Sequence, residues 1–61
     1  MENNDFIERL KSEISEGKKG LERIRLEIDK ARTVGLDVRE LTERFEAQKK
    51  QIALIEKVYK I

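Results

Sequence analysis

The sequence contains no cysteine, no histidine, no proline and no tryptophan, and these absences exclude several classes of structure. Without cysteine and histidine, the chain can form neither a disulfide framework nor a structural zinc site built on their side chains. Without proline, no residue sterically interrupts a helix. Phenylalanine and tyrosine together number three, and they do not alternate with basic residues as a stacking platform for single-stranded nucleic acid requires.

Long apolar runs are also missing. The longest one covers residues 52–55, far short of the ~20 residues that span a bilayer. The first five residues are polar or acidic apart from the initial methionine, a composition unlike that of a signal peptide. These features predict a cytoplasmic protein without a membrane segment.

Charge is abundant but balanced. Charged residues make up 44% of the chain, and 14 basic against 13 acidic residues leave a net charge of +1. Such a mixture is typical of solvated helix faces rather than of a basic tail that binds polyanions. The 61 residues predict a single domain, 1–61, and so short a chain rarely builds a sufficient core alone. Regular helix packing, association or both must therefore supply its stability.

The centre of the sequence predicts a tight connection between two helices. Gly35 is suited to the left-handed position that ends a helix. Asp37 is the expected N-cap of the next helix, and Glu40 would complete a capping box with it. Leu36 and Leu41 are spaced for a hydrophobic staple. With Asp5 as the expected first N-cap, we predict a helix over about 5–34, a turn over about 35–37 and a helix over about 38–60.

Both predicted helices carry apolar residues at alternating spacings of three and four, the heptad pattern of coiled coils. In the first helix these seam positions are Ile7, Leu10, Ile14, Gly17, Leu21, Ile24, Ile28 and Ala31. In the second they are Val38, Leu41, Phe45, Gln48, Ile52, Ile55 and Tyr59. We therefore predict an all-α, coiled-coil-like antiparallel hairpin. Folding at the turn pairs Gly17 with Ile52 and Leu10 with Tyr59, and places Lys11 opposite Glu56.

Two glycines, Gly17 and Gly20, lie within one turn of the first predicted helix. Each costs about 1 kcal/mol relative to alanine in a helix interior, so this segment could form a bend or a loop. The heptad pattern nevertheless continues through it without a slip, which favours a continuous helix. Gly17 also lies on the seam, where a missing side chain allows a facing helix to come close.

The second predicted helix carries more apolar residues than one hairpin seam can bury. The additional apolar residues are Ala47, Leu54, Val58 and Ile61; together with Gln51, a polar residue that lies among them, they form what we call the surplus strip. Exposed together, these residues would form a patch that soluble monomers seldom tolerate. The strip predicts self-association into a four-helix bundle, as a homodimer in preference to a tetramer.

Basic residues recur along the first helix and near the middle of the second. They offer an alternative function, contact with RNA or DNA, through Lys11, Lys18, Lys19, Arg25, Arg32, Lys49 and Lys50. Acidic residues that lie three positions before several of them neutralise much of this charge, so we rank the alternative second. A third hypothesis is a helical inhibitor or adaptor that docks one helix into a groove of a regulatory protein.

The sequence offers no constellation for catalysis. It has no histidine or cysteine, and a hairpin provides no enclosed pocket in which to shift a pKa. Glu40, Glu43 and Glu46 form an acidic strip, but their spacing does not match a calcium-binding loop. We expect no enzyme activity, no metal and no cofactor. The preferred function is a structural or protein–protein interaction module that oligomerises through its second helix.

Overall fold

The computed structural model describes the backbone of residues 2–61 and the side chains from residue 5 onward. Two helices, α1 (Glu2–Thr33) and α2 (Arg39–Tyr59), pack against each other as an antiparallel hairpin. This confirms the all-α hairpin predicted from the heptads. No helix in the described part of the chain is both long enough and apolar enough to cross a membrane.

Helix α1 runs through both of its interior glycines without a break. It begins at Glu2, about three residues before the predicted start, so Asp5 lies inside the helix rather than at its cap. At Gly17 the predicted close approach is present, because a Cβ built there would lie 3.1 Å from Cδ1 of Ile52. At Gly20 a Cβ would meet no atom within 4 Å. The two glycines therefore have different roles, and only Gly17 makes room for α2.

The chain leaves α1 through a Schellman motif. Gly35 has a φ of +85°, and its N–H donates to the carbonyl of Arg32 at 3.0 Å. The N–H of Leu36 donates to the carbonyl of Ala31 at 2.9 Å. These two bonds satisfy carbonyls that the end of a helix otherwise leaves unpaired. The predicted helix stop at Gly35 is therefore present.

The start of α2 differs from the prediction. The N-cap residue is Val38, which has no side-chain cap hydrogen bond, so the expected capping box of Asp37 and Glu40 does not form. Asp37 instead accepts the backbone N–H of Arg39 at 3.0 Å and binds its guanidinium at 2.9 Å. These hydrogen bonds lower the pKa of the Asp37 carboxyl below its usual value, the side-chain bond being the larger cause.

The core lies on α1. Ile14, Leu21 and Ile28 are 7%, 9% and 5% exposed, one residue every seven along the helix. All eight predicted seam positions of α1 are buried or half-buried. Two long helices packed side by side make the molecule a thin rod, 51 Å long and 16 Å by 12 Å across, and so thin a shape can bury few side chains.

Helix α2 has no fully buried residue. Its covered face is rotated from the predicted seam, because Thr42 and Glu56 are half-buried while Leu41, Gln48 and Tyr59 are exposed. The direction agrees with helix geometry, in which a heptad position drifts by ~20° per repeat in a straight helix. Three repeats therefore carry residue 59 well away from the position of residue 38.

Contacts near the far end of the hairpin change with this rotation. Glu56 binds Lys18 across the two helices at 2.6 Å, where Lys11 had been the expected partner. The ring of Tyr59 contacts that of Phe6, with centroids 5.7 Å apart and planes tilted by 55°. Phe6 lies outside the predicted seam, so this aromatic pair was not anticipated.

The glycines provide a test of the fold. We expect Gly35→Ala to lower the free energy of unfolding by about 1 kcal/mol, because a Cβ is disfavoured at positive φ. Gly20→Ala should raise it by about 1 kcal/mol, because the site is helical and has space for the methyl group. Urea unfolding followed by circular dichroism at fixed protein concentration measures both. Equal effects of the two changes would contradict this description of the helix and its end.

Thr42 provides a second test, because its buried Oγ1 has no hydrogen-bond partner. Thr42→Val removes the unpaired hydroxyl and keeps the shape, so it should stabilise the hairpin by about 1 kcal/mol. Thr33→Val is the matched control, since Oγ1 of Thr33 donates to the carbonyl of Asp29 at 2.8 Å. The control should give no gain in the same unfolding measurement, and a larger gain from the control would refute the assignment.

Candidate interaction surfaces

The surplus strip is exposed over most of its length. Ala47 and Gln51 lie at the surface, and Leu54 and Val58 are 57% and 64% exposed. Ile61 differs from the other four, because it is half-buried and lines a recess together with Ile14 of α1. Ala47, Leu54 and Val58 therefore form one exposed apolar face that includes Gln51, whereas Ile61 lies in the recess beside Ile14.

This exposed face points away from α1. Leu54 follows Ile52 by two residues, and at 100° per residue their side chains leave the helix about 160° apart. Ile52 packs towards Gly17 of α1. Any chain that covers Leu54 and Val58 must therefore approach α2 from its outer side, opposite the hairpin contact.

A second surface was not predicted from the sequence. It is a groove of about 340 Å³ between the helices, which we call the basic groove. Its apolar lining consists of Leu21, Phe45, Ile52 and Ala53. Its charged lining consists of Lys18, Glu22, Arg25, Lys49 and Glu56. The groove therefore combines an apolar floor with a charged rim, the composition of surfaces that bind peptides and helices.

A smaller recess of about 270 Å³ shares Lys18 and Glu56 with the basic groove. Lys11, Ile14, Ser15 and Ile61 complete its lining. The shared residues make the two depressions neighbours along the same side of the hairpin. Together they extend from Phe45, near the middle of α2, to Ile61 beyond its end.

Ion pairs occupy four of the seven basic residues that had suggested nucleic-acid contact. Besides the Lys18–Glu56 pair, Arg25 binds Glu22 at 2.6 Å and Asp29 at 3.2 Å. Arg32 and Lys19 make longer pairs, at 3.9 Å and 3.6 Å, with acidic residues of their own helix. Hydrogen bonding to Arg25 lowers the pKa of the Glu22 carboxyl, and the same bond raises the pKa of Arg25. This pair therefore stays ionised throughout the neutral pH range.

The other three basic residues are Lys11, Lys49 and Lys50. Among the side chains from residue 5 onward, none of them has a carboxylate within 4.0 Å. The ammonium group of Lys49 lies over the ring of Phe45, 5.8 Å from its centroid, a cation–π contact at the edge of the basic groove. Lys11 and Lys49 belong to the linings of the two depressions, whereas Lys50 belongs to neither.

Other charged or apolar surfaces are less organised. Glu40 and Glu43 line a shallow polar depression with Asp37 and Arg39. Within residues 5–61, no group of three or more acidic side chains is placed to hold a metal ion. Val34 and Leu36 are exposed at the turn and form an apolar tip. The heptad pattern did not predict this tip, because neither residue is a seam position.

The sequence did contain one sign of the basic groove. Lys11, Lys18 and Arg25 recur every seven residues beside the α1 seam, a spacing that keeps them on one side of the helix. The residues that lie opposite them depend on the rotation of α2, which only the packing of the two helices determines.

No known protein family, curated protein or solved structure matches this chain.

Proposed function

We propose that the protein is a non-enzymatic interaction module that self-associates through the outer face of α2. The exposed residues of the surplus strip, Ala47, Gln51, Leu54 and Val58, form the contact with a second copy. The exposure of Leu54 and Val58 on the side of α2 that faces away from α1 is the observation that carries the proposal.

The accessible surface of the monomer supports association. The chain exposes 5250 Å², whereas a compact monomer of its mass exposes about 4,100 Å². The excess of about 1,100 Å² exceeds the roughly 800 Å² that each partner contributes to a standard protein–protein interface. The isolated hairpin thus has enough uncovered surface for one stable contact beyond its own.

The chemistry of the strip favours a second copy as the partner. None of its four exposed residues is charged, so no like charges meet within the strip itself, and Lys50 and Lys57 lie beside it. Twofold self-association requires such a self-complementary patch. The outer side of α1 offers no comparable face, since Leu26 is an isolated exposed leucine among polar residues. The proposed homodimer is accordingly a four-helix assembly with the two α2 helices in contact.

Nucleic-acid binding remains the weaker alternative. Four of its seven candidate residues form ion pairs within the hairpin, and those pairs reduce the counterion release that drives binding to a phosphate backbone.

Charge introduced on the strip tests the proposal. We expect Leu54→Lys combined with Val58→Lys to raise the dimer dissociation constant at least 100-fold, about 2.7 kcal/mol. The reason is that association would bury two unpaired ammonium groups from each copy in place of two apolar side chains. Sedimentation equilibrium over a wide concentration range measures the constant.

Leu26→Lys is the control for the leucine substitution, because it places a single positive charge at an exposed leucine outside the strip. It should change the dissociation constant less than threefold. A wild-type protein that is a folded monomer at all concentrations, or a double variant that still dimerises normally, would refute the proposed interface.

A further inference from the structure

The basic groove and its adjoining recess collect positive charge that the chain as a whole lacks. Their lining contains four basic residues, Lys11, Lys18, Arg25 and Lys49, and two acidic ones. The 14 basic and 13 acidic residues of the chain therefore leave ten basic and eleven acidic residues elsewhere. One side of the hairpin is net positive, and the remainder of the molecule is slightly negative.

The length of this surface suits a helix. Along α2 the two depressions extend from Phe45 to Ile61, which corresponds to about 24 Å at 1.5 Å per residue. Apolar side chains occur along this whole length, from Phe45 and Leu21 at one end to Ile14 and Ile61 at the other. A helix of about sixteen residues would cover them with a single apolar face.

The spacing of the basic residues on α1 determines where a bound helix should carry acidic side chains. On α1, Lys11, Lys18 and Arg25 are seven residues apart, so neighbouring positions are separated by about 10.5 Å along the helix. A second helix lying alongside would meet them with acidic side chains at the same interval. This match is available in either chain direction, because equal spacing is preserved when the helix is reversed.

We propose that the basic groove and its recess bind an amphipathic helix of a partner protein that carries acidic residues every seven positions beside an apolar face. The ion pairs already present do not prevent this. The ammonium group of Lys18 has three N–H donors and the guanidinium group of Arg25 has five, so each can donate a hydrogen bond to a second carboxylate. Lys49 has no carboxylate within 4.0 Å in the described part of the chain, and it is available to the incoming helix.

A nucleic acid and a second copy of the chain both fit this surface less well than an acidic helix. Glu22 and Glu56 belong to the rim, and the apolar floor offers nothing to a phosphate backbone, so a polyanion fits less well than an acidic helix. A second copy of the chain also fits poorly, because Lys50 and Lys57 are exposed beside its own strip and would face the basic rim. The basic groove is therefore distinct from the proposed α2–α2 contact, and the groove itself shares no residue with the strip.

The test uses two fluorescein-labelled synthetic peptides of sixteen residues with identical leucine positions. One carries glutamate at positions 1, 8 and 15, and the other carries lysine there. Fluorescence anisotropy with the full chain should show at least tenfold tighter binding of the glutamate peptide. Lys49→Glu should weaken that binding at least tenfold, whereas Lys50→Glu, the same change one residue outside the lining, should alter it less than twofold.

The strip variant separates this proposal from the proposed dimer. The Leu54→Lys, Val58→Lys chain should bind the glutamate peptide with an affinity within threefold of the wild type, provided that circular dichroism shows a helical fold. Equal binding of the two peptides, or equal loss in Lys49→Glu and Lys50→Glu, would overturn the proposal. Tighter binding of a labelled oligoribonucleotide, abolished by Lys49→Glu, would overturn it in favour of nucleic acid.

Discussion

The close approach of Ile52 to Gly17 is the contact on which the rest of the hairpin depends. It occurs near the middle of both helices and leaves no room for a side chain larger than hydrogen at residue 17 without adjustment of Ile52. The Schellman motif at Gly35 fixes where α1 ends and the chain turns back. The turn and the Gly17–Ile52 contact therefore define the antiparallel register of α1 and α2 at two separate points.

Burial is divided unequally between the two helices, and this division explains where the free surfaces occur. The longer α1 packs its seam against α2 and supplies the three side chains that are buried among residues 5–61. The shorter α2 buries none, because its apolar residues are distributed around more of its circumference than α1 can cover. One part of that surplus lines the basic groove, and another part forms the exposed strip. Both proposed interfaces therefore draw on the same helix.

Sequence reasoning predicted the whole α1 seam but only part of the covered face of α2. The α1 seam was predictable because each of its positions faces α2. On α2 the heptad suggested Leu41 and Gln48, but the helix presents Thr42 and Glu56 to α1, a rotation that only the packed pair determines. Asp37 illustrates the same limit locally. A capping box with Glu40 is predicted there, yet the carboxylate of Asp37 binds Arg39 and the N-cap is Val38.

The two proposed interfaces share α2 but use opposite sides of it. Ion pairs contribute little to holding this helix, since of the salt bridges among the described side chains only Lys18–Glu56 joins α1 to α2, and exposed pairs contribute at most about 1 kcal/mol. Covering the strip with a second copy would leave Phe45 and Lys49 of the groove uncovered, because these residues leave α2 on the side opposite Leu54. Each protomer of the proposed dimer can therefore bind a partner helix, and loss of the dimer need not abolish that binding.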